Sequence, residues 1–272
     1  MPQIRRLRSA KGRDQLAAVL RRSSGFVIAE NASRALAISQ RDASKLLARW
    51  ARQGWLKRLR RGLYAPIQID ARSSEQTLRN PWVLIPALFS PGYVGGWSAA
   101  SHWNLTEQVF RDVCVFTARP FRRKREVVEG TTFFLNRISE RALFGTVVVW
   151  EEKVRIPISD PHRTLIDMLA RPFTGGGIRH VESCLASYLQ SSLCDLERLI
   201  KDGDRLGSGA VFKRLGFLLS RRSGIDPAML AACQARLTSG NTKLDPALPS
   251  KHLVTRWKLW VPTRWTEGFS RD

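Results

Sequence analysis

Residues 38–66 read ISQRDASKLLARWARQGWLKRLRRGLYAP, and this stretch predicts a helix followed by a short basic hairpin. Four apolar residues recur at helical spacing and define one face: Ala43, Leu46, Leu47 and Trp50. The opposite face carries polar and basic side chains: Arg41, Ser44, Lys45, Arg49 and Arg52. The stretch therefore predicts an amphipathic helix with one buried face and one charged face.

The ends of this helix and of the hairpin are marked by specific residues. Ser39 can cap the helix, and Asp42 three residues later completes a capping box and places a negative charge at the positive end of the helix dipole. Gly54 stands where a left-handed residue ends a helix, and Gly62 permits the turn of the hairpin. Pro66 ends the returning strand. Helix and hairpin bounds are thus predicted to within a few residues.

The preceding residues predict two more helices, one over about 12–23 and a short one over 29–36. Three helices and a basic two-stranded wing within about 65 residues match a winged helix-turn-helix, whose second motif helix enters the major groove of DNA. The alternative is a solvated basic helix beside a structural hairpin. The charge distribution argues against that alternative: residues 1–66 hold 16 Lys and Arg against 3 Asp and Glu, so they carry +13 of the chain's +22.

We expect two groups of residues to contact DNA. The helix group faces the major groove: Gln40, Arg41, Ser44, Lys45, Arg49 and Arg52. The wing group holds the flanking backbone or the minor groove: Arg58, Arg60 and Arg61. Contacts of the first kind read base edges, whereas contacts of the second kind fix register and affinity.

Composition narrows the remaining classes of protein. The longest apolar runs are interrupted within about ten residues, so no membrane span is predicted. The basic N-terminus lacks the apolar run of a signal peptide, and it is interpreted either as a frayed tail or as an arm that follows phosphates. Four scattered cysteines and four dispersed histidines predict no metal site and no cofactor, and thiols without disulfide spacing favour the cytoplasm.

The fold class predicted for the whole chain is α+β, with four segments. Residues 1–66 form the winged helix-turn-helix, 67–80 a polar linker, 81–240 an α/β domain and 241–272 an irregular Trp-rich basic tail. Within the third segment, strands are predicted at 112–118, 131–138, 145–152 and 153–159, and helices at about 80–89, after Gly95, after Asp160 and after Gly177. Ser98 is a possible cap of the second of these helices, and the last third is predicted to be mostly helical, over 193–202, 209–221 and 226–237.

Two further features allow both a structural and a functional interpretation. Five cations lie within seven residues in a predicted loop: Arg119, Arg122, Arg123, Lys124 and Arg125. Such a run is either a solvated loop or a secondary contact with DNA or an acidic partner. Trp257, Trp260 and Trp265 either cover a core or, if exposed, anchor a protein partner.

Enzyme activity is the weaker alternative. Glu151 and Lys153 end a predicted strand in the pattern E-x-K, which with an upstream Asp112 resembles half of a metal-dependent nuclease site. A charged turn between two strands is the simpler interpretation. The three glycines at 175–177 could bind an anion at a helix N-terminus, but they lack the spacing of phosphate-binding motifs. We therefore predict no catalytic residues.

Three motifs in order, RGLYAP, YVGGWSAASHWNLTEQ and ISDPHRTLIDMLARPFTGGGIRHVESCL, resemble the AbiEi antitoxin family of abortive-infection (type IV) toxin–antitoxin systems. The resemblance covers about residues 12–235. It implies a transcriptional repressor that binds operator repeats in its own operon, and a C-terminal α/β domain needed to neutralise a nucleotidyltransferase toxin as part of antiviral defence. It also implies a bacterial, nucleoid-associated protein, and palindromic operators would favour a homo-oligomer on DNA. A winged-helix adaptor within a larger complex is the alternative. The stretch from about 240 onward has no counterpart in the resemblance.

Overall fold

The computed structural model describes residues 2–23, 25–67, 80–151 and 154–266, and it describes side chains from residue 11 onward within those ranges. Most of the predicted linker, Lys153 and the last six residues of the predicted tail lie outside the described residues. The fold class is confirmed: an N-terminal winged helix-turn-helix is followed by a mixed α/β region and a helical C-terminal third.

The N-terminal unit contains three helices and a three-stranded sheet of order β1-β3-β2. Its elements are α1 (Pro2–Arg21), β1 (Val27–Ile28), α2 (Ala29–Leu36), α3 (Gln40–Arg52), β2 (Leu56–Arg60) and β3 (Leu63–Pro66). The predicted short helix at 29–36 is confirmed. The first helix is longer than predicted, because it begins at Pro2 and takes in the basic residues that were expected to form a tail or an arm.

Local interactions set the bounds of α3 and of the hairpin as the sequence predicts. The Ser39 hydroxyl accepts a hydrogen bond from the amide of Asp42 (3.1 Å) and donates one to its carboxylate (2.8 Å). Gly54 and Gly62 have φ of 73° and 85°, a region that strongly favours glycine, and they lie just after α3 and in the turn between β2 and β3. The backbone turns are therefore encoded at single positions.

The inner face of α3 packs into the core of this unit. Ala43, Leu47 and Trp50 are completely buried beside Val27 and Leu56. Leu46, which the sequence assigned to the same face, lies at its margin and is only partly buried. The buried face is thus narrower than the apolar pattern predicts.

A six-stranded mixed sheet of order β6-β7-β5-β4-β9-β8 forms the centre of the molecule. Its strands are β4 (Gly92–Val94), β5 (Val113–Thr117), β6 (Arg125–Val128), β7 (Thr131–Arg137), β8 (Thr146–Glu151) and β9 (Val154–Ser159). The four strands predicted in this region are all present, whereas β4 and β6 were not predicted. Two short helices accompany the sheet, α4 (Ile85–Phe89) and α5 (Gly96–His102). Ser98 does not cap α5; it lies within the helix, and its hydroxyl accepts a hydrogen bond from the Cys114 amide (2.9 Å).

Alternating residues of the central strands point to two different cores. Val113 and Val115 join a cluster that contains α4 together with Phe26 and Leu63 of the N-terminal unit. Cys114, on the other face of β5, joins a separate cluster with Tyr93 and Phe116 beneath the C-terminal helices. The winged helix-turn-helix therefore packs against one face of the sheet, and the helical third lies on the opposite side.

The helical third is built from α6 (Pro161–Ala170), α7 (Ile178–Gln190), α8 (Leu196–Leu206), α9 (Gly209–Ser220) and α10 (Pro227–Gln234). Asp160 caps α6 by accepting a hydrogen bond from the Arg163 amide (2.8 Å). No described helix is long and apolar enough to cross a membrane.

The described part of the Trp-rich stretch, residues 241–266, contains regular structure, although the sequence predicted an irregular tail. It forms β10 (Thr242–Lys243), β11 (His252–Val254) and β12 (Leu259–Val261), a small sheet of order β10-β12-β11. Trp257 is completely buried and Trp265 nearly so, both within the core of the helical third, while Trp260 keeps 36% of its surface exposed. The physical reason is that two large aromatic side chains complete the core of the helices, so this segment follows the first of its two interpretations.

Candidate DNA-binding interface

The outer face of α3 forms a continuous exposed surface. Besides Asp42, six residues of α3 are exposed: Gln40, Arg41, Ser44, Lys45, Arg49 and Arg52. They are the six residues that the sequence nominated on this helix. Because the opposite face is fixed in the core by Leu47 and Trp50, the helix presents this surface in one orientation.

Internal contacts of this face are few and weak. The Ser44 hydroxyl donates a hydrogen bond to the Gln40 carbonyl (2.8 Å), and Lys45 Nζ lies 3.8 Å from the Asp42 carboxylate. An exposed ion pair of this kind contributes about 0–1 kcal/mol, so Lys45 can exchange it for a phosphate or a base. No described carboxylate pairs with Arg41, Arg49 or Arg52. The surface is therefore basic and available.

Two basic side chains of the wing are exposed, and two others contact the central sheet. Arg58 and Arg61 are exposed, as expected for contacts to DNA backbone. Arg60 instead donates to Glu126 (2.5 Å) and to the Leu88 carbonyl (3.3 Å), so its guanidinium faces the central sheet. Lys57 likewise pairs with Glu129 (2.6 Å), next to the turn between β6 and β7. The predicted role of Arg60 at DNA stays a prediction, and the structure gives this side chain a contact within the chain.

The second basic cluster borders the wing. A cavity of about 550 Å³ lies between Arg60 and the loop that precedes β6. Arg119 donates to the Leu88 carbonyl (2.9 Å), and Arg125 lies 3.7 Å from Asp112. The remaining three cations are exposed and form no ion pair with a described residue: Arg122, Arg123 and Lys124. The loop therefore extends the basic surface of the wing along one edge of the sheet.

The residues proposed for a nuclease site lie far apart. Going from β5 to β8 through β4 and β9, the pairings are antiparallel, parallel and antiparallel, so β5 and β8 run in the same direction. Asp112 precedes β5 and Glu151 ends β8, which places the two carboxylates at opposite ends of the sheet and on strands that are not neighbours. Glu151 accepts a hydrogen bond from Asn80 (3.1 Å). The nuclease alternative thus has no common site in the structure. Within the described ranges, no group of three His, Cys, Asp or Glu side chains could hold a metal ion.

The glycine-rich entry to α7 is also accounted for within the chain. The Ile178 amide donates to the Asp245 carboxylate (2.9 Å), which therefore occupies the helix N-terminus that an anion would otherwise use. The sequence contains no local signal for this contact, because Asp245 follows 67 residues later. The interpretation of the three glycines as a tight structural loop agrees with this geometry.

A family model described as "Transcriptional regulator, AbiEi antitoxin" matches residues 14–67. This part of the chain is therefore similar to the AbiEi antitoxin family of transcriptional regulators. The match falls on α2, α3, the wing and the C-terminal part of α1, and so includes every helix and wing residue nominated for DNA contact. The AbiEi-type domain therefore coincides with the most basic unit of the chain.

The whole chain also resembles a solved structure. The crystal structure of the RV2827C protein from Mycobacterium tuberculosis superposes with a TM-score of 0.57 at 20% sequence identity, covering 92% of this chain and 90% of that chain. At this identity the likeness shows a shared fold. No curated protein matches the chain.

Proposed function

We propose that this protein is a sequence-specific DNA-binding repressor that regulates its own operon. The observation that carries the proposal is the outer face of α3: six exposed polar or basic residues, held in one orientation by a buried opposite face, in a domain of a transcriptional-regulator family. In this proposal the AbiEi-type domain of residues 1–66 is the DNA-binding domain, and the rest of the chain is its support and its partner domain.

The nominated residues take different roles in that proposal. Arg41, Lys45 and Arg49 reach base edges, where an Arg or Lys paired to guanine discriminates by about 1–3 kcal/mol. Gln40, near the N-terminus of α3, reads adenine or bonds a phosphate, and Ser44 faces the major groove. Arg52, Arg58 and Arg61 follow the backbone. The exposed cations of residues 122–124 continue this contact beyond the wing.

A titration of the purified chain against its own promoter tests the repressor role. A fluorescent promoter duplex and a shuffled duplex of the same composition are compared by anisotropy at several salt concentrations. We expect preference for the promoter, and with about six phosphate contacts we expect log K to fall with log salt at a slope near about −5. Equal affinity for both duplexes would overturn autoregulation, and affinity independent of salt would overturn phosphate contact.

Lys201 offers a matched control for this titration. It is exposed on α8, on the opposite side of the sheet from the AbiEi-type domain, and Lys201→Ala removes the same charge as Lys45→Ala. We expect the Lys45 variant to lose promoter preference and the Lys201 variant to retain it. Equal losses would mean that net charge alone, and not the face of α3, accounts for binding.

We also propose that the protein is an antitoxin that antagonises a nucleotidyltransferase toxin, in a bacterial cytoplasm. The AbiEi-type match supports this role. The genes next to this one are first searched for a nucleotidyltransferase, and co-expression with it tests the role directly. We expect growth arrest by the nucleotidyltransferase alone and growth in the presence of this chain. The Lys45→Ala variant is used in the same assay in place of a chain that lacks residues 1–66, because such a truncated chain is informative only if it folds. Growth in the presence of Lys45→Ala would separate neutralisation of the toxin from DNA binding. Arrest that persists with the full-length chain would overturn the antitoxin role.

A further inference from the structure

A second cavity of about 510 Å³ lies on the side of the sheet away from the AbiEi-type domain. Its walls come from the ends of β5 and β7, the short helical turn Glu140–Ala142, the end of α6 and the junction between α8 and α9. A volume of this size lies within the range of about 300–1,000 Å³ that small-molecule sites occupy.

Arg163, completely buried, contributes to the lining of this cavity. Its Nε and Nη2 groups each lie 3.0 Å from the Asp167 carboxylate, and Nη2 also donates to the Tyr93 hydroxyl (2.9 Å). Burial raises the pKa of Asp167, and the Arg163 guanidinium opposes that rise. The buried cation is thus balanced by one carboxylate, yet Nη1 of Arg163 has no hydrogen-bond partner among the described residues.

Three more arginines line the cavity: Arg141, Arg171 and Arg205. None of the three forms an ion pair with a carboxylate in the described part of the chain. Arg171 donates to the Arg137 carbonyl (3.0 Å). Arg205 stacks on Phe144 at 4.2 Å, and Arg163 approaches the same ring at 4.2 Å, so the ring holds two guanidinium groups near each other. Besides the buried Arg163–Asp167 pair, the cavity therefore holds three guanidinium groups that form no ion pair with a described carboxylate.

The N-terminus of α9 adds a further positive potential. Ser208 precedes this twelve-residue helix and lines the cavity, and its side chain forms no capping hydrogen bond with the first amides of the helix. Unsatisfied amides and the helix dipole both favour an anion at this position. The helix end alone would not define a site, but it lines the same cavity as three arginines that form no ion pair with a described carboxylate.

We propose that this cavity binds a small organic phosphate of about nucleotide size. Guanidinium groups pair bidentately with phosphate oxygens, which accounts for three arginines without carboxylate partners. The apolar walls supplied by Phe116, Ile138 and Leu206 would take the organic portion. The site is separate from the outer face of α3, so the inference does not depend on DNA binding.

Isothermal titration calorimetry on the full chain tests the proposal, with ATP, ribose 5-phosphate, inorganic pyrophosphate and adenosine as probes at physiological salt. We expect one molecule of an organic phosphate to bind per chain and adenosine not to bind. In the double variant Arg141→Gln/Arg171→Gln the affinity falls at least about tenfold. Arg205→Gln provides an independent second variant with the same expected direction.

Arg179 is the matched control, because it is exposed on α7 and does not line the cavity. We expect Arg179→Gln to bind as the unaltered protein does. An equal loss in this variant would reduce the effect to general attraction by a strongly basic protein and would overturn the site. Failure of both organic phosphates to bind, or binding of pyrophosphate alone, would also overturn the proposal.

Discussion

Leu47→Ala is expected to destabilise the AbiEi-type domain far more than Leu46→Ala, although the two residues are adjacent. Leu47 is completely buried against Ala43 and Trp50, whereas Leu46 lies at the margin of the same cluster. Truncation of a fully buried leucine costs about 2–5 kcal/mol, because the transfer free energy is lost and a cavity remains. Truncation at the margin costs less, since water can fill the space.

Hydrogen exchange of peptides that cover residues 40–52 measures this difference locally. A loss of about 2–5 kcal/mol corresponds to about 30-fold to about 4,000-fold faster exchange through opening of α3. Leu46→Ala should change the rate by a much smaller factor, and peptides from the central sheet should report whether the effect stays within the domain. Equal effects of the two substitutions would refute the helix orientation, and with it the claim that Arg41 and Lys45 face outward.

Three further outcomes are expected from the contacts seen in the structure. Arg61→Ala should weaken DNA binding and reduce the slope of log K against log salt by about 0.9. Arg60→Ala should change this slope less, because the Arg60 guanidinium is bound to Glu126 within the chain. Anisotropy titrations at several salt concentrations compare the two variants. Asp160→Ala should lower the free energy of unfolding by about 0.5–2 kcal/mol through loss of the α6 cap, as measured by urea unfolding. Burial raises the pKa of the Asp160 carboxyl, but its hydrogen-bonding and charged partners outweigh burial and hold this pKa below the usual value. The stabilisation by ionised Asp160 is therefore present above about pH 4 and is lost as the pH falls through the lowered pKa. The destabilisation caused by Asp160→Ala should shrink in acid, and an effect that does not change with pH would contradict the assignment. Gly216→Ala should destabilise the helical third, because a Cβ there would lie 2.1 Å from the Trp257 ring; unchanged thermal unfolding would contradict this packing.

Much of the N-terminal fold could be predicted because its signals are local. Ser39, Gly54 and Gly62 each affect only the backbone within a few residues, so the sequence alone predicts the ends of α3 and the turn of the wing. The strands that were missed, β4 and β6, are short and lack a clear alternating pattern. Trp257 and Trp265 could not be assigned between core and surface, because their partners in the helical third are distant in sequence.

In the candidate interface, too, features set by local sequence could be predicted, whereas contacts between distant residues could not. The exposed face of α3 follows from helical spacing alone, and all six nominated residues are exposed. The partners in the Arg60–Glu126 and Lys57–Glu129 contacts are separated by 66 and 72 positions in the sequence, so no local pattern predicts these contacts. For the same reason, the cavity lined by Arg141, Arg163 and Arg205 emerges only when the sheet and the helices are assembled.

The Arg60–Glu126 and Lys57–Glu129 contacts also give the wing a structural role, which is to hold the N-terminal unit against the central sheet. Together with burial of Phe26 and Leu63 against the central sheet, the two ion pairs attach the AbiEi-type domain to the rest of the chain through its hairpin. The outer face of α3 remains exposed in that arrangement. A fixed hairpin beside an exposed face of α3 would let the proposed DNA approach from the side of α3, Arg58 and Arg61.

The most direct test of the central claim is the ratio of affinities for promoter and shuffled DNA, measured for Arg41→Ala and Arg58→Ala side by side. Arg41 on α3 is proposed to read bases, and Arg58 on the wing to hold phosphates. The account predicts that Arg41→Ala lowers this ratio by about 1–3 kcal/mol of discrimination, whereas Arg58→Ala weakens binding to both duplexes alike and leaves the ratio unchanged. A ratio that is unaffected by Arg41→Ala, or that falls only in Arg58→Ala, would contradict recognition of DNA by the outer face of α3.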